Sequence, residues 1–574
     1  PFGGKTQLTP TQVSIQKFPV LTGNTKATST LAYGFEPKLM EYSTYVGAMY
    51  SVLISMSKTM ACGNKLNDIY FSFQEYFERL NDEPKKWGKV TGALLGAFEA
   101  LDFFNLAAIG GKDSMSGSFN ELNVCPTLIS VACTKGNVDR VITSEIKAVG
   151  NKLGVFLPKI DKQGYPDLSS YKDIFNSIEK LNDKILSSYV VEEGGIVSAL
   201  FKASFGNDIG FNINSDINLL KYIPGAIIVE TDEVLDEVNY HYLGETVNND
   251  YIINNISITK EEALNSWLKT FDDIYPRVSK ENNKEVFNVD YKTDKKFKAK
   301  TLVDVVKVLI PVFPGTNCEY DMARAFEEEG AKANILVFKN LNASMVNESI
   351  DSFVRELDKT NILALPGGFS SGDEPDGSAK FIVNVLQNEK IKSAIERLLE
   401  RDGLIIGICN GFQALLKSGL LPYGDIKVLN EDDCTLYRND INRHVSTMVK
   451  TRCVSNNSPW LSGDDVSCVH VIPVSHGEGK FVVNDDKLKE LIDNGQIAFQ
   501  YCDTDNNATN DPNYNVNGSM FAIEGIVSKD GKVLGKMGHS ERYYKDVFKN
   551  IDGNKKQSIF KNGVNYFKKE KENV

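Results

Sequence analysis

The chain has 574 residues, 42% of them hydrophobic, and a formal charge of -12. At about 100–200 residues per domain this length implies several domains, and the acidity argues against nucleic acid as a partner, because binding a polyanion needs clustered Lys and Arg. Nine cysteines without one Cys-x-x-Cys pair argue against a disulfide framework or structural zinc and for a reducing, cytoplasmic setting, and no apolar run approaches the roughly 20 residues that cross a membrane.

The chain opens on Pro1, not Met, so a piece of a longer polypeptide is expected. Within Ala108 to Gly117 (AIGGKDSMSG), the run Gly-Gly-Lys-Asp-Ser offers flexible backbone N–H groups, a cation and two oxygen ligands. That set suits a phosphate with magnesium, but the residues alone favour a charged turn. The apolar run Pro126 to Cys133 gives way near Thr134 to Ser144 to a polar turn. Ser279 to Lys300 is polar and charged, which is how a linker reads. The expected division is 1–140, 141–280, a linker over 281–300, and 301–574.

Beyond the linker, apolar runs alternate with helical stretches. Strands are expected at Val305 to Val312, Ala333 to Phe338, Asn361 to Leu365 and Leu404 to Ile408. Helices are expected at Glu319 to Glu329, ending on Gly330, near Met345 to Leu357, and up to Arg401. The alternation predicts an α/β fold with a doubly wound parallel sheet covered on both faces. Its chemistry should lie in the loops after the strands.

The segment Gly403 to Gln413 (GLIIGICNGFQ) runs from a strand through Gly407-Ile408-Cys409-Asn410-Gly411 into a helix. Small residues on both sides permit a sharp turn that exposes Cys409, and the helix N-terminus favours its thiolate. An unselected cysteine beside a strand is most often simply buried; the flanking glycines favour a nucleophile. Of the five histidines, His539 follows a predicted strand over Gly531 to Met537 and precedes Ser540-Glu541. In extended backbone, His-x-Glu places both side chains on one face, so Glu541 can hold one imidazole nitrogen while the other addresses the thiol. Alone, such a pair is more often solvated. Pro366-Gly367-Gly368 closes another strand, and either forms a plain turn or brings the Gly368 N–H to an oxyanion together with the Asn410 N–H.

With Gly407-x-Cys409-x-Gly411-x-Gln413 and Gly367-Gly368, residues 301–574 resemble the class I glutamine amidotransferase family. Pro314 to Glu319 (PGTNCE), Ser475 to Gly479 (SHGEG) and Asn517-Gly518-Ser519 resemble the version fused to phosphoribosylformylglycinamidine synthases. Serine at position 540, between His539 and Glu541, departs from the proline frequent in that family. Pro1 to Lys5 (PFGGK), Phe73 to Phe77 (FQEYF) and Ala108 to Gly117 resemble the second half of the synthase body. The resemblance implies α+β, aminoimidazole ribonucleotide synthase-like domains ahead of a glutaminase domain.

The resemblance further implies that Cys409, His539 and Glu541 are catalytic, that Gly368 and Asn410 form the oxyanion hole, and that Gln413 and His476 bind glutamine. Glutamine hydrolysis would supply ammonia for the ATP-dependent conversion of formylglycinamide ribonucleotide to its amidine in purine biosynthesis. ATP and Mg2+ then belong to the complete synthase, with Lys112, Asp113 and Ser114 as candidate nucleotide or phosphate ligands, and the glutaminase needs no cofactor or metal. Val190 to Gly195 (VVEEGG) and Ser51 to Ser57 (SVLISMS) lack metal ligands that relatives carry, which counts against a nucleotide in this half. A Cys-dependent hydrolase or peptidase on a similar sheet, or a silent assembly module, are the competing readings.

Overall fold

Residues 5–271 and residues 272–574, the latter with 1–4, fold as two units. The computed structural model describes residues 4–20, 22–280, 284–370, 378–545 and 547–569. In the first unit, Val13–Lys17 (β1), Ala27–Gly34 (β2), Ile69–Tyr76 (β3), Ala107–Lys112 (β4) and Thr127–Asn137 (β5) form a sheet in the order β1-β2-β5-β3-β4. Burial alternates along β2 and β5, so one face packs and the other does not. The packed face meets Thr44–Ala61 (α1), whose first turn is capped by Ser43 and whose residues are buried almost all round. Pro84–Phe104 (α2) packs on α1 and ends at Asn105 in the left-handed conformation.

The second sheet of this unit contains Lys152–Phe156 (β6), Ile185–Val190 (β7), Gly210–Ile213 (β8), Ile227–Thr231 (β9), Tyr240–Val247 (β10), Tyr251–Ile253 (β11) and Ile256–Ile258 (β12). Their order is β12-β11-β8-β10-β6-β9-β7. Leu168–Lys180 (α3) and Gly195–Phe205 (α4) join its strands, and Lys260–Leu268 (α5) follows the last of them.

The other unit carries a nine-stranded sheet. Lys307–Val312 (β13), Glu319–Glu328 (α6), Lys332–Val337 (β14), Ala343–Leu357 (α7), Ile362–Leu365 (β15), Lys380–Leu386 (α8), Glu389–Glu400 (α9), Leu404–Ile408 (β16) and Asn410–Ser418 (α10) follow one another. Val445–Cys453 (β17), Val469–His476 (β18), Ile497–Tyr501 (β19), Ile523–Val527 (β20) and Val533–Lys536 (β21) complete it, in the order β14-β13-β15-β16-β21-β20-β19-β17-β18. The first five are parallel; the last four extend the sheet antiparallel.

The doubly wound arrangement expected from the apolar runs is therefore present, with an antiparallel extension that short strands separated by polar loops did not announce. Every residue of β15 and β16 is buried, as a strand covered by helices on both faces requires. Fully burying each such Leu or Ile contributes about 1.5–3 kcal/mol. The order reverses between β13 and β15, and in open α/β sheets the ligand crevice opens at that reversal, beyond the carboxyl ends of the strands.

Residues 284–300, read from their polarity as a connector, have little regular structure but lie on this second unit. Val289 and Ala299 are buried, the Tyr291 N–H donates to the Val454 carbonyl at 2.8 Å, and the Ala299 N–H to the Tyr566 carbonyl at 3.0 Å. Arg452, 3% exposed, donates to the Val289 carbonyl at 3.0 Å and pairs with Asp290 at 2.8 Å. The polar composition thus serves anchoring. No helix among the described residues is long and apolar enough to cross a membrane.

Candidate active site

The loops after β13, β15, β16 and β21 bring Cys318, Gly367, Cys409 and His539 together. Cys409 caps α10 with φ +53° and ψ -105°, a conformation that side-chain-bearing residues rarely adopt and that the surroundings must hold in place. The flanking glycines supply room for it. A Cβ on Gly411 would lie 2.1 Å from the Leu365 carbonyl oxygen, and one on Gly407 would lie 2.6 Å from the Gly411 carbonyl carbon. The sharp turn thus places its strain on the cysteine itself and its close packing on the glycines.

Gly367 measures the convergence. A Cβ there would stand 2.7 Å from His539 Cε1, 3.4 Å from Cys409 Cβ and 3.4 Å from Cys318 Sγ. His539 is held by Glu541, whose Oε1 lies 2.6 Å from Nδ1, and its buried Nε2 has no hydrogen-bond partner. Burial acts to raise the Glu541 carboxyl, but His539 and then Arg542 outweigh it and leave Glu541 below its ordinary value. The pair is almost wholly inaccessible, at 1% and 0% side-chain exposure, so its geometry is fixed by packing.

The loop carrying His539 rests on a buried ion pair. Lys536 Nζ lies 3.1 Å from Glu524 Oε1, donates to the Gly538 carbonyl at 2.8 Å and to Ser540 Oγ at 3.0 Å. Glu524 in turn accepts the Gly538 N–H at 2.6 Å, and Ser540 donates to Gln557. Serine between the histidine and the glutamate is therefore integrated into this support.

A cavity of about 310 Å³ opens on the cysteine, lined by Gly368, Cys409, Asn410, Gln413, Ser475 and His476 among others. Thr316 and Gly368 form an antiparallel bridge whose bonds are donated by the Asn317 and Phe369 N–H groups, so the Gly368 N–H takes no part in it. The Cys409 thiol donates to the Ser475 carbonyl at 3.7 Å, and the adjacent Asn410 N–H acts to lower its pKa. Gln413 donates to the Glu478 carbonyl at 2.7 Å and accepts from the Asn410 side chain at 2.9 Å; it shapes the wall. His476 shares a hydrogen bond of 3.1 Å between Nδ1 and Asn439 Oδ1, and its Nε2 is buried without a partner. Burial, then the neighbouring His539 and His444, push its pKa down to about 3, so the ring is neutral.

One sequence-based expectation is corrected. The helix terminus was expected to favour a thiolate at Cys409, but burial pushes the thiol up to about 12; Cys318 and Glu541 add to the rise, and Arg542 and the Asn410 N–H only partly oppose it. In this state the sulfur holds its proton, which makes a neighbouring base necessary.

Cys318 and Arg542 were not assigned roles from sequence. Arg542 Nη2 donates to Cys318 Sγ at 3.2 Å. The signals were present in Pro314 to Glu319 and in the residue after Glu541, but only the fold shows that they meet. Ligating atoms of Cys318, His539 and Glu541 all lie within 4.8 Å of one another, the sole such group among the described residues. The Arg542 cation on Cys318 opposes a metal ion there. Lys112, Asp113 and Ser114 stand elsewhere, at the end of the edge strand β4 and in the loop after it. Lys112 folds onto the Asp113 carbonyl, and the Ser114 N–H donates to the Glu75 carbonyl at 3.2 Å. Burial and the nearby Asp113 push the Glu75 carboxyl up to about 7.

Comparison with known proteins bears on residues 305–567, which match the CobB/CobQ-like glutamine amidotransferase domain. The phosphoribosylformylglycinamidine synthase subunit PurQ of Sulfurimonas denitrificans is 34% identical over 248 residues, 43% of this chain and 96% of that protein. PurQ of Rhodopseudomonas palustris is 34% identical over 249 residues, 43% of this chain and 94% of that protein. A chain in the structure of PurLQS from Thermotoga maritima aligns over 46% of this chain and all of its own length, at 25% identity and a TM-score of 0.34. With its cysteine elbow, His-x-Glu pair and cavity in the region that the two PurQ proteins match nearly end to end, the chain belongs to the glutamine amidotransferase family of phosphoribosylformylglycinamidine synthases.

Proposed function

We propose that residues 305–567 release ammonia from glutamine through Cys409, His539 and Glu541, for a carbon–nitrogen ligase that uses glutamine as amide donor. His539, held through Nδ1 by Glu541, takes the Cys409 proton at Nε2 as the sulfur attacks the side-chain amide carbon. The Gly368 and Asn410 N–H groups receive the oxyanion. The C–N bond breaks, ammonia leaves with the proton from His539, and water hydrolyses the thioester to glutamate. Gln413 and His476 shape the glutamine pocket, with neutral His476 presenting its unpartnered Nε2.

The observation that carries this reading is the strained Cys409 at φ +53°, buried with a protonated thiol beside a histidine already bound to a carboxylate. A peptidase would need an open cleft for a chain, whereas the cavity is about 310 Å³, small enough for an amino acid.

In the complete synthase, the ammonia would convert formylglycinamide ribonucleotide to its amidine at the expense of ATP with Mg2+, in the cytoplasm. The first 280 residues, divided near residue 140, would belong to the synthase body; Lys112, Asp113 and Ser114 remain its candidate phosphate ligands. The test is glutamate release by wild type and Cys409→Ser, with and without ATP and formylglycinamide ribonucleotide. Cys409-dependent release supports the glutaminase, stimulation by the other substrates supports the synthase assignment, and release unaffected by Cys409→Ser sinks the mechanism.

A further inference from the structure

A second group of cysteine, histidine and carboxylate lies at the far edge of the nine-stranded sheet, and glutamine hydrolysis does not use it. Strands β17 and β18 pair antiparallel with Arg452 opposite Val469. One residue beyond, Cys453 and Cys468 face each other, and the Cys453 N–H donates to the Cys468 carbonyl at 2.9 Å. Neither is in a disulfide, and the Cys453 thiol donates to the Ser455 carbonyl at 3.4 Å.

Their settings differ. Cys453 is fully buried, whereas Cys468 is half-buried. His470, two residues along the chain from Cys468, is 4% exposed with an unpartnered Nδ1, and it and Asp464 both bear on the Cys468 thiol. Cys453, with help from His470, outweighs burial and holds the Cys468 thiol below its ordinary range. Cys468 and burial push Cys453 well above it. One sulfur is therefore reachable with thiolate character, and a protonated sulfur stands behind it. Redox-responsive cysteine pairs share that layout.

We propose that Cys453 and Cys468 form a thiol pair oxidised by hydroperoxides, with Cys468 attacking and Cys453 resolving. The Cys468 thiolate attacks one peroxide oxygen, the O–O bond breaks, and hydroxide or alkoxide leaves and is protonated. The Cys453 sulfur then attacks the sulfenic acid at Cys468, the S–O bond breaks, and water leaves with the Cys453 proton. In sum, two thiols lose two electrons, a disulfide forms, and the peroxide is reduced to water and either water or an alcohol. A dithiol reverses it.

The regular ladder ends here, with the Cys453 carbonyl accepting from the Ser467 N–H at 2.7 Å and the Cys468 N–H donating to the Asp465 carbonyl at 3.0 Å, so the bond from the Cys453 N–H to the Cys468 carbonyl is what holds the two residues side by side. A disulfide needs their Cβ atoms about 3.5–4.5 Å apart. Ser467, at φ +79°, already departs from regular extension next to Cys468. The bond would close beside the anchor of residues 289–291: Arg452 precedes Cys453, and Ser467, which precedes Cys468, donates to Asp290 at 2.9 Å.

The test treats the full chain with hydrogen peroxide, alkylates remaining thiols, and maps unreduced peptides by mass spectrometry. The Cys453 and Cys468 peptides should appear joined and two hydrogens lighter, at least about tenfold faster than exposed Cys133 is oxidised, and separate again with dithiothreitol. In Cys453→Ser, Cys468 should accumulate as a sulfenic acid trapped by dimedone. Oxidation of Cys133 ahead of Cys468, or sulfinic acid at Cys468 in wild type without the crosslink, overturns the pair. The wild-type map carries the decision whether or not the variant folds.

Discussion

Cys409 and Cys468 lie in the same unit, each with a histidine and a carboxylate at hand, yet their surroundings tune them in opposite directions. Cys409 is buried at the base of its cavity, strained and protonated, its thiol pushed up to about 12 by burial. Cys468 is half-buried, and the neighbouring Cys453 and His470 lower its thiol. The same residue types give a sulfur held until a substrate and base act together in one place, and a sulfur available to small oxidants in the other. Solvent access and the neighbouring groups decide which, not the residue types alone.

The largest effect that can break this contrast is removal of the Cys409 sulfur. Cys409→Ala should reduce glutamate release by more than about 1,000-fold, while Cys468→Ala should keep it within about twofold; equal losses would erase the distinction. Next is the support under His539. Lys536→Met leaves Glu524 buried without its partner and should lower the stability of this unit by about 3–5 kcal/mol, read as a shifted urea midpoint at unchanged slope.

Gly367→Ala sharpens the contrast from the packing side. Its methyl would intrude 2.7 Å from His539 Cε1, and glutamine turnover should fall about 100-fold with the fold retained, since displacements near 1 Å at a reacting centre cost that much. Circular dichroism and kcat measured together separate misplacement from unfolding. The smallest effect is in labelling. At neutral pH without glutamine, iodoacetamide should modify Cys468 about tenfold faster than Cys409. Thiolate rises with pH, so Cys409 labelling should keep climbing past pH 10 while that of Cys468 has already levelled. A Cys409 plateau below pH 8 would contradict its burial.

Much of the glutaminase was legible because its chemistry is local in sequence. The elbow occupies Gly407 to Gly411, the proposed base and its orienting acid are two residues apart, and β16 matches the predicted run Leu404 to Ile408 residue for residue. Strand–helix alternation sufficed for the parallel sheet. What stayed hidden depends on register and depth. Cys318 and Arg542 are 224 residues apart and meet only when β13 and β21 deliver their loops to one crevice. The burial that protonates Cys409 has no sequence signature, and the pairing of Cys453 with Cys468 requires knowing that Arg452 opposes Val469.

The seating of residues 284–300 bears on where this chain can be cut. Composition invites a break at 301, just before the first parallel strand, and such a break would produce a piece without Asp290, Val289 and Tyr291. Arg452, 3% exposed, would lose its carboxylate and a carbonyl acceptor at once, and the Val454 carbonyl would lose the Tyr291 N–H. A free-standing glutaminase should therefore begin before Lys284, whose carbonyl accepts from Asn510 at 2.7 Å, and its insoluble counterpart starting at 301 would be a failure of tailoring and not of the enzyme.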